Sequence, residues 1–245
     1  MEVNTEDHKI ILQNQLFLKQ THGLDVDANI VGKLLQFHKS LKLNYGSFAE
    51  ELPEQILALM FLKGDEKVLE IGGNIGRNSL IISSILNNSE NLVVIESDKD
   101  IAKQLQENKI SNNFHFQIID KALSNRNLIQ KGWVSIESNV LLQGYNQVDT
   151  ISYDEFKIQY NINFDTLVID CEGAFYYILF DMVDILKNIK TIIIENDFYD
   201  YNQKLYVDHI LIENNFKKVF YSPLLTHPGG FPNTRNEFYQ VWKKE

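Results

Sequence analysis

Apolar positions along the chain follow two rhythms, and the change comes near Lys67. From residue 8 to about 62 they recur near the helical period of 3.6. Ile10, Ile11, Leu12, Leu16, Phe17 and Leu18 come first, then Ile30, Leu34, Leu35, Phe37 and Leu41. After a break at Tyr45-Gly46-Ser47 the pattern resumes with Ile56, Leu57, Leu59, Met60 and Phe61. Residues 1–62 are therefore predicted to form a helical cap packed on a sheet, with a substrate lid as the sharper alternative. From Lys67 onward short apolar runs alternate with longer amphipathic stretches. Strands are predicted at Val68–Ile71, Leu92–Ile95, Phe114–Ile119, Thr166–Ile169 and Thr191–Ile194, and helices at Asn78–Leu86, Ile101–Lys109 and Tyr176–Ile189. The order β-α-β-α-β with buried strands implies an α/β fold built on a doubly wound, mostly parallel sheet.

A longer insertion separates Asp120 from Phe164, with short strands expected near Trp133–Ser138 and Gln147–Ile151. Ser152-Tyr-Asp-Glu155 reads as a capping box, in which Glu155 reaches back to the Ser152 amide. The chain then offers a helix at Tyr201–Asn214, a strand at Phe216–Tyr221, a long loop and a strand at Glu237–Trp242. No linker marks a second domain, so 63–245 is expected to be one catalytic domain carrying the cap.

Composition narrows the partners. The 245 residues are 44% hydrophobic and 23% charged, enough for a full core. Lys and Arg total 23 against 33 Asp and Glu, and the net charge of −10 argues against nucleic acid as the main partner. The single cysteine, Cys171, excludes a disulfide framework and a cysteine zinc site. No apolar run approaches the roughly 20 residues of a membrane helix, and Met1 to Ile10 lacks the parts of a signal peptide. A soluble, cytoplasmic protein without membrane insertion is expected.

The densest chemical signal is Val68-Leu-Glu-Ile-Gly-Gly-Asn-Ile-Gly-Arg-Asn-Ser-Leu80. A buried strand ends in Glu70, a Gly-rich turn follows, and a helix begins near Arg77. Gly72 and Gly76 would let backbone approach a ligand. The dinucleotide fingerprint needs glycine where Asn74 stands, so a nicotinamide cofactor is disfavoured. A carboxylate at the strand end instead suits a ligand bearing an ammonium group, such as the methionine half of S-adenosylmethionine. Glu96 ends the second strand, where an acid takes ribose hydroxyls through its two oxygens. Asp120 and the Lys121–Ala122 backbone follow the third strand, on the side expected for adenine.

The fourth strand ends in Asp170-Cys-Glu-Gly173 and the fifth in Glu195-Asn-Asp197. Strand ends on one edge share a crevice, so up to four carboxylates would face one site. Like charges disfavour ionisation and raise at least one pKa, which suits a general base. The same oxygens suit a hard cation such as Mg²⁺ on Asp170, Glu195 and Asn196. His227, in the long loop Ser222–Arg235, is a further base or substrate contact. Trp133 and Trp242 read as packing aromatics, and Cys171 as a small buried hydrophobe.

Taken together, Glu70-Ile-Gly-Gly-Asn-Ile-Gly76, Asp120-Lys-Ala-Leu-Ser124, Ile169-Asp-Cys-Glu-Gly-Ala174 and Ile194-Glu195 resemble the FkbM-type methyltransferases. These are class I S-adenosylmethionine-dependent enzymes that mostly O-methylate sugars, glycans and natural-product hydroxyls. The resemblance spans about residues 64–243. It departs from the family at Glu70 and Gly73, where Asp and Ala or Ser are more usual, and at Phe175, where a second acid is frequent. It implies a Rossmann-like sheet of seven strands with an antiparallel last strand. It also implies cofactor contact at Glu70, Gly72, Gly73, Asn74, Gly76, Asn78, Glu96, Ser97, Asp120, Lys121, Ala122 and Asp170. In the related metal-dependent O-methyltransferases an acid on the fourth strand and an acid-Asn pair on the fifth hold Mg²⁺, and Asp170 with Glu195-Asn196 would mimic them.

The expected function is S-adenosylmethionine-dependent O-methylation of a sugar or glycan hydroxyl, with Asp170, Glu172 or His227 accepting the proton. One alternative is N-methylation of protein or nucleic acid. The net charge disfavours it, as does Glu195-Asn-Asp-Phe-Tyr199 in place of an Asn-Pro-Pro-aromatic run. The other is a non-catalytic module that binds the cofactor or a glycan, against which the intact Gly-rich turn and the retained acids weigh.

Overall fold

In the computed structural model residues 5–160, 162–198, 200–226 and 234–244 are described. The N-terminal region forms three helices, α1 (Thr5–His22), α2 (Ala28–Ser40) and α3 (Leu52–Phe61). Their apolar stripe is split at one place beyond the expected break. Gly23 turns the chain with positive φ, and Asp27 caps α2 by accepting from the Asn29 amide at 2.7 Å. Helix α3 opens with Pro53 and Glu54 in its first turn, both favoured where amides lack partners and the helix dipole is positive.

The core then alternates. Strand β1 (Val68–Ile71) leads to α4 (Arg77–Ile85), β2 (Leu92–Ile95), α5 (Lys99–Ser111) and β3 (Gln117–Ile119). Strand β3 is shorter than expected, because the Asn112-Asn113 turn closing α5 binds the Phe114 amide to the Lys109 carbonyl. The insertion holds β4 (Ala122–Leu123), β5 (Leu128–Lys131), β6 (Val134–Glu137), β7 (Asn146–Val148), β8 (Thr150–Ile151) and α6 (Tyr153–Tyr160). Strands β4 and β8 pair with each other, and β6-β5-β7 form a small antiparallel sheet. The capping box is present, with the Ser152 amide donating to Glu155 at 2.9 Å and the Glu155 amide to Ser152 Oγ at 3.2 Å. The chain continues through β9 (Thr166–Ile169), α7 (Ala174–Met182), β10 (Thr191–Glu195), α8 (Tyr201–Glu213), β11 (Phe216–Ser222) and β12 (Tyr239–Lys244). The helix expected to Ile189 ends at Met182 and is followed by a 3₁₀ turn at Val183–Leu186, and another at Arg235–Glu237 delays β12.

The main sheet has seven strands in the order β11-β12-β10-β9-β1-β2-β3. Only β12 runs antiparallel, between β10 and β11. This is the Rossmann-like sheet of seven strands with an antiparallel last strand anticipated from the sequence. Alternate residues of each strand enter opposite layers. Leu69, Ile71, Leu167, Ile169, Ile192 and Ile194 pack with α7 and α8 on one face. Val68, Val94, Val168, Ile193 and Val241 pack with Leu57 and Ala58 of α3 and Leu80 and Ile82 of α4 on the other. The N-terminal helices thus cover the layer above the Gly-rich turn. Sequence order reverses between β1 and β9, and in such a sheet the crevice outside the strand ends at that reversal is where ligands bind. Among the described residues no helix is long and apolar enough to cross a membrane.

Candidate active site

Two strand ends meet at the reversal. Gly72 follows β1 and Asp170 follows β9, and the Asp170 amide donates to the Ile71 carbonyl at 3.0 Å. A Cβ on Gly72 would stand 1.5 Å from the Asp170 carbonyl oxygen, and the residue has φ of 93°. A Cβ on Gly76 would meet Leu105 of α5 at 2.4 Å. These glycines are therefore required by the protein's own backbone and helix packing, a reason distinct from the expected room for a ligand. Gly73 packs in the same way against Val94.

Asn74, at the tip of the turn, has φ of 47°, a left-handed conformation that Asn tolerates better than most side chains. Its amide donates to Glu96 Oε2 at 2.8 Å, while the Asp98 amide donates to Glu96 Oε1 at 2.8 Å. Glu96 is held from both sides behind the turn, and burial pushes its carboxyl above the ordinary range. Glu70 lies deeper. Strand alternation points it into the layer under α4, where it is 2% exposed and accepts from Ser79 Oγ. Burial pushes its pKa up to about 8, against the opposing hydrogen bonds of Ser79 and Asn78.

A cleft of about 710 Å³ opens between the N-terminal segment and the strand ends. Of the expected site residues, Asn74, Asp170, Glu172 and Glu195 line it. Glu70, Gly72 and Asn78 instead line a smaller buried space next to Asp170 and Glu195. Ser97 lies aside and donates to Gln130 of β5 at 3.1 Å. Asp120 is exposed and Lys121 half-buried, and the Ala122 amide is committed to the Asp149 carbonyl at 2.8 Å. His227 lies outside the described residues.

The floor of the cleft is acidic. Carboxylate oxygens of Glu54, Asp170 and Glu195 all lie within 4.8 Å of one another. Burial pushes the Asp170 carboxyl well above its usual range, with Glu54 and Glu51 adding to it. Glu195 is raised by burial first, then by Asp170 and Glu54. Glu172 is raised by burial alone and has φ of 52°, a left-handed strain that Glu does not favour. Asp197 accepts from the Gly173 amide at 2.8 Å at the start of α7, and burial pushes it to about 7. Hard oxygen donors at this spacing fit a divalent cation such as Mg²⁺. Asn196, expected beside them, borders neither space. It is fully buried and donates through Nδ2 to the carbonyls of Glu237 and Phe238 at 3.1 and 2.9 Å.

Four cleft residues escaped the sequence reading. Glu51 accepts from Arg77 Nη1 at 2.8 Å and from Asn74 Nδ2 at 3.3 Å, so the N-terminal segment is tied directly to the Gly-rich turn. Arg77 also donates to the Ser47 carbonyl at 3.0 Å and pairs with Glu50. Glu54 supplies the third carboxylate. Acids in Glu50-Glu51-Leu52-Pro53-Glu54 have a sufficient local explanation as a helix start, which hides their second role. Tyr239, opposite Glu195 in the β10–β12 register, borders both spaces, and burial followed by the three carboxylates holds its hydroxyl well above the usual tyrosine range. Trp133, expected to pack, is 55% exposed on the β5–β6 turn and lines the cleft, whereas Trp242 is buried.

No protein-family model matches the chain, and no curated protein matches it by sequence. Solved structures align with much of its length. An O-methyltransferase from Bacillus cereus in complex with SAH is 13% identical, with 95% of this chain and 97% of that one covered, at a TM-score of 0.49. The O-methyltransferase TomG from Streptomyces achromogenes, involved in tomaymycin synthesis and bound to SAM, is 11% identical over 100% and 99% of the two chains, at 0.48. A ribosomal protein L11 methylase from Lactobacillus delbrueckii subsp. bulgaricus is 12% identical over 82% and 81%, also at 0.48. These are likenesses to enzymes of differing substrate, and the assignment of fold rests on the strand order itself.

Proposed function

We propose that the protein is an S-adenosylmethionine-dependent O-methyltransferase acting on a hydroxyl of a sugar or glycan. The observation that carries this reading is the cleft at the sheet reversal, with the Gly-rich turn on one wall and Asp170, Glu172 and Glu195 on its floor. The cofactor would lie along that turn, with Glu96 to hold its ribose hydroxyls and the Asp120–Ala122 turn beside its adenine. Glu70 supports the turn from beneath, through its hydrogen bond with Ser79 of α4, rather than by contact with the cofactor.

In this reading residues 63–245 form the catalytic domain and 1–62 a cap that contributes to its site. S-adenosylmethionine held along the Gly-rich turn would supply the methyl group to the acceptor oxygen presented in the cleft. Asp170 accepts the hydroxyl proton, with Glu172 as the neighbouring carboxylate that can relay it. A carboxylate whose pKa burial raises above the ordinary range is suited to that transfer. Holding both reactants in one cleft supplies much of the remaining rate by orientation. A divalent cation bound at Asp170 and Glu195 would polarise the acceptor oxygen and ease its deprotonation.

The test is incubation with S-adenosylmethionine and a panel of mono- and oligosaccharides, read by mass spectrometry. A mass increment of one methyl on an acceptor hydroxyl, with equimolar S-adenosylhomocysteine, is expected. Methylation confined to amines or to protein would overturn the hydroxyl assignment.

A further inference from the structure

We propose that Glu54 of the N-terminal helical segment, with Asp170 and Glu195 from the sheet, forms a divalent-cation site that clamps this segment over the cleft. The proposal deepens the methyltransferase reading of the same cleft and rests on it for its consequence, though not for its geometry. Three features of the cluster point to it. The three carboxylates come from α3, the end of β9 and the end of β10, and their oxygens cluster within 4.8 Å. At that spacing the oxygens of Glu54 and Glu195 repel each other when both are ionised, and a cation between them removes the repulsion. Glu54 Oε2 is buried, and no donor reaches it.

An independent sign lies beside the cluster. A buried space of about 10 Å³, room for a single water-sized particle, is bordered by these three carboxylates and by Asn78. Asn78 is 6% exposed, and its Oδ1 has no hydrogen-bond partner. A buried amide oxygen without a donor is unusual, and a hard cation or its bound water satisfies it. No described Lys or Arg pairs with Glu54, Asp170 or Glu195, because Arg77 of the same cleft is held by Glu50 and Glu51. The cluster therefore lacks an internal countercharge.

The site spans two parts of the chain, so cation binding is linked to how the N-terminal segment sits. Cation bound only by the assembled state favours that state by mass action. Glu54 is thus a positioning residue for the cleft as well as a ligand.

The probe is Mn²⁺ alone, added to the full-length protein. Electron paramagnetic resonance and calorimetry should find one bound Mn²⁺ per chain, and hydrogen exchange in α3 should slow on its addition. Glu54→Gln should weaken binding at least tenfold and abolish the slowing, while melting without metal at or above the wild-type temperature. Glu50→Gln, an equal change of charge on the same segment, should leave Mn²⁺ affinity within twofold. Absence of Mn²⁺ binding to folded wild-type protein at millimolar concentration overturns the proposal, as does equal affinity in wild type and Glu54→Gln. S-adenosylhomocysteine titrated into the same samples separates the two readings. Its binding without Mn²⁺ binding removes the cation site alone, and its failure to bind removes the methyltransferase reading while the Mn²⁺ titration still judges the site.

Discussion

Arg77, at the first position of α4, donates to Glu51 at 2.8 Å and so joins the helix behind the Gly-rich turn to the N-terminal segment. Both side chains are largely buried, and burial followed by the charge of Glu54 pushes Glu51 up to about 7 even with Arg77 beside it. Removing one partner of such a pair leaves the other uncompensated. Arg77→Met should therefore destabilise the protein by about 3 kcal/mol, read by urea unfolding. Unchanged stability would mean that the segment is held by apolar packing alone.

Gly72 permits a contact that no other residue allows. A Cβ there collides with the Asp170 carbonyl, and φ is positive as well. Gly72→Ala should cost more than about 4 kcal/mol, appearing as insoluble or unfolded protein. A soluble Gly72→Ala protein with wild-type melting would contradict the β1–β9 geometry.

Glu70 gives the chain a pH signature. Its folded pKa of about 8 stands above the ordinary carboxylate value, so between those limits the folded state keeps a proton that the unfolded chain has lost. The stabilisation is full below the unfolded pKa and is lost as pH rises through about 8, on the order of 5 kcal/mol in all. Unfolding free energies at pH 5 and pH 8.5 should fall more steeply for wild type than for Glu70→Gln. Parallel curves would mean that Glu70 is not desolvated.

Much of this arrangement is legible in the sequence, and what is missed has a physical cause. The strands of the sheet announce themselves by apolar runs bounded by polar ends, and their terminal acids stand out for that reason. Glu51 and Glu54 do not, because an acid beside a proline at a helix start is explained by the helix dipole. Only the fold brings them to Asp170. Asn196 fails in the opposite way: it neighbours Glu195 in sequence, but a strand-end backbone turns its amide onto the Glu237 and Phe238 carbonyls. Trp133 looks like a core aromatic until the β5–β6 turn carries it to the cleft wall.

Trp133 offers an optical test of that placement. It is exposed on the cleft wall while Trp242 is buried. Ligand binding should change the emission of the wild-type protein and leave Trp133→Phe silent, with melting unchanged. A ligand-dependent signal that survives in Trp133→Phe would place the ligand elsewhere.

Asp170→Asn removes the proposed proton acceptor while keeping its shape. Methyl transfer should fall by at least about 100-fold, with affinity for S-adenosylhomocysteine within a few-fold of wild type. Turnover at the wild-type rate would remove Asp170 from that role.

Calorimetric titration of folded protein with S-adenosylhomocysteine tests most directly whether the Gly-rich turn and Glu96 hold the nucleoside shared by that product and S-adenosylmethionine. Saturable one-to-one binding, weakened in Glu96→Gln and absent with NAD, is the expected result. No heat of binding from S-adenosylhomocysteine or S-adenosylmethionine, or a preference for NAD, would contradict it.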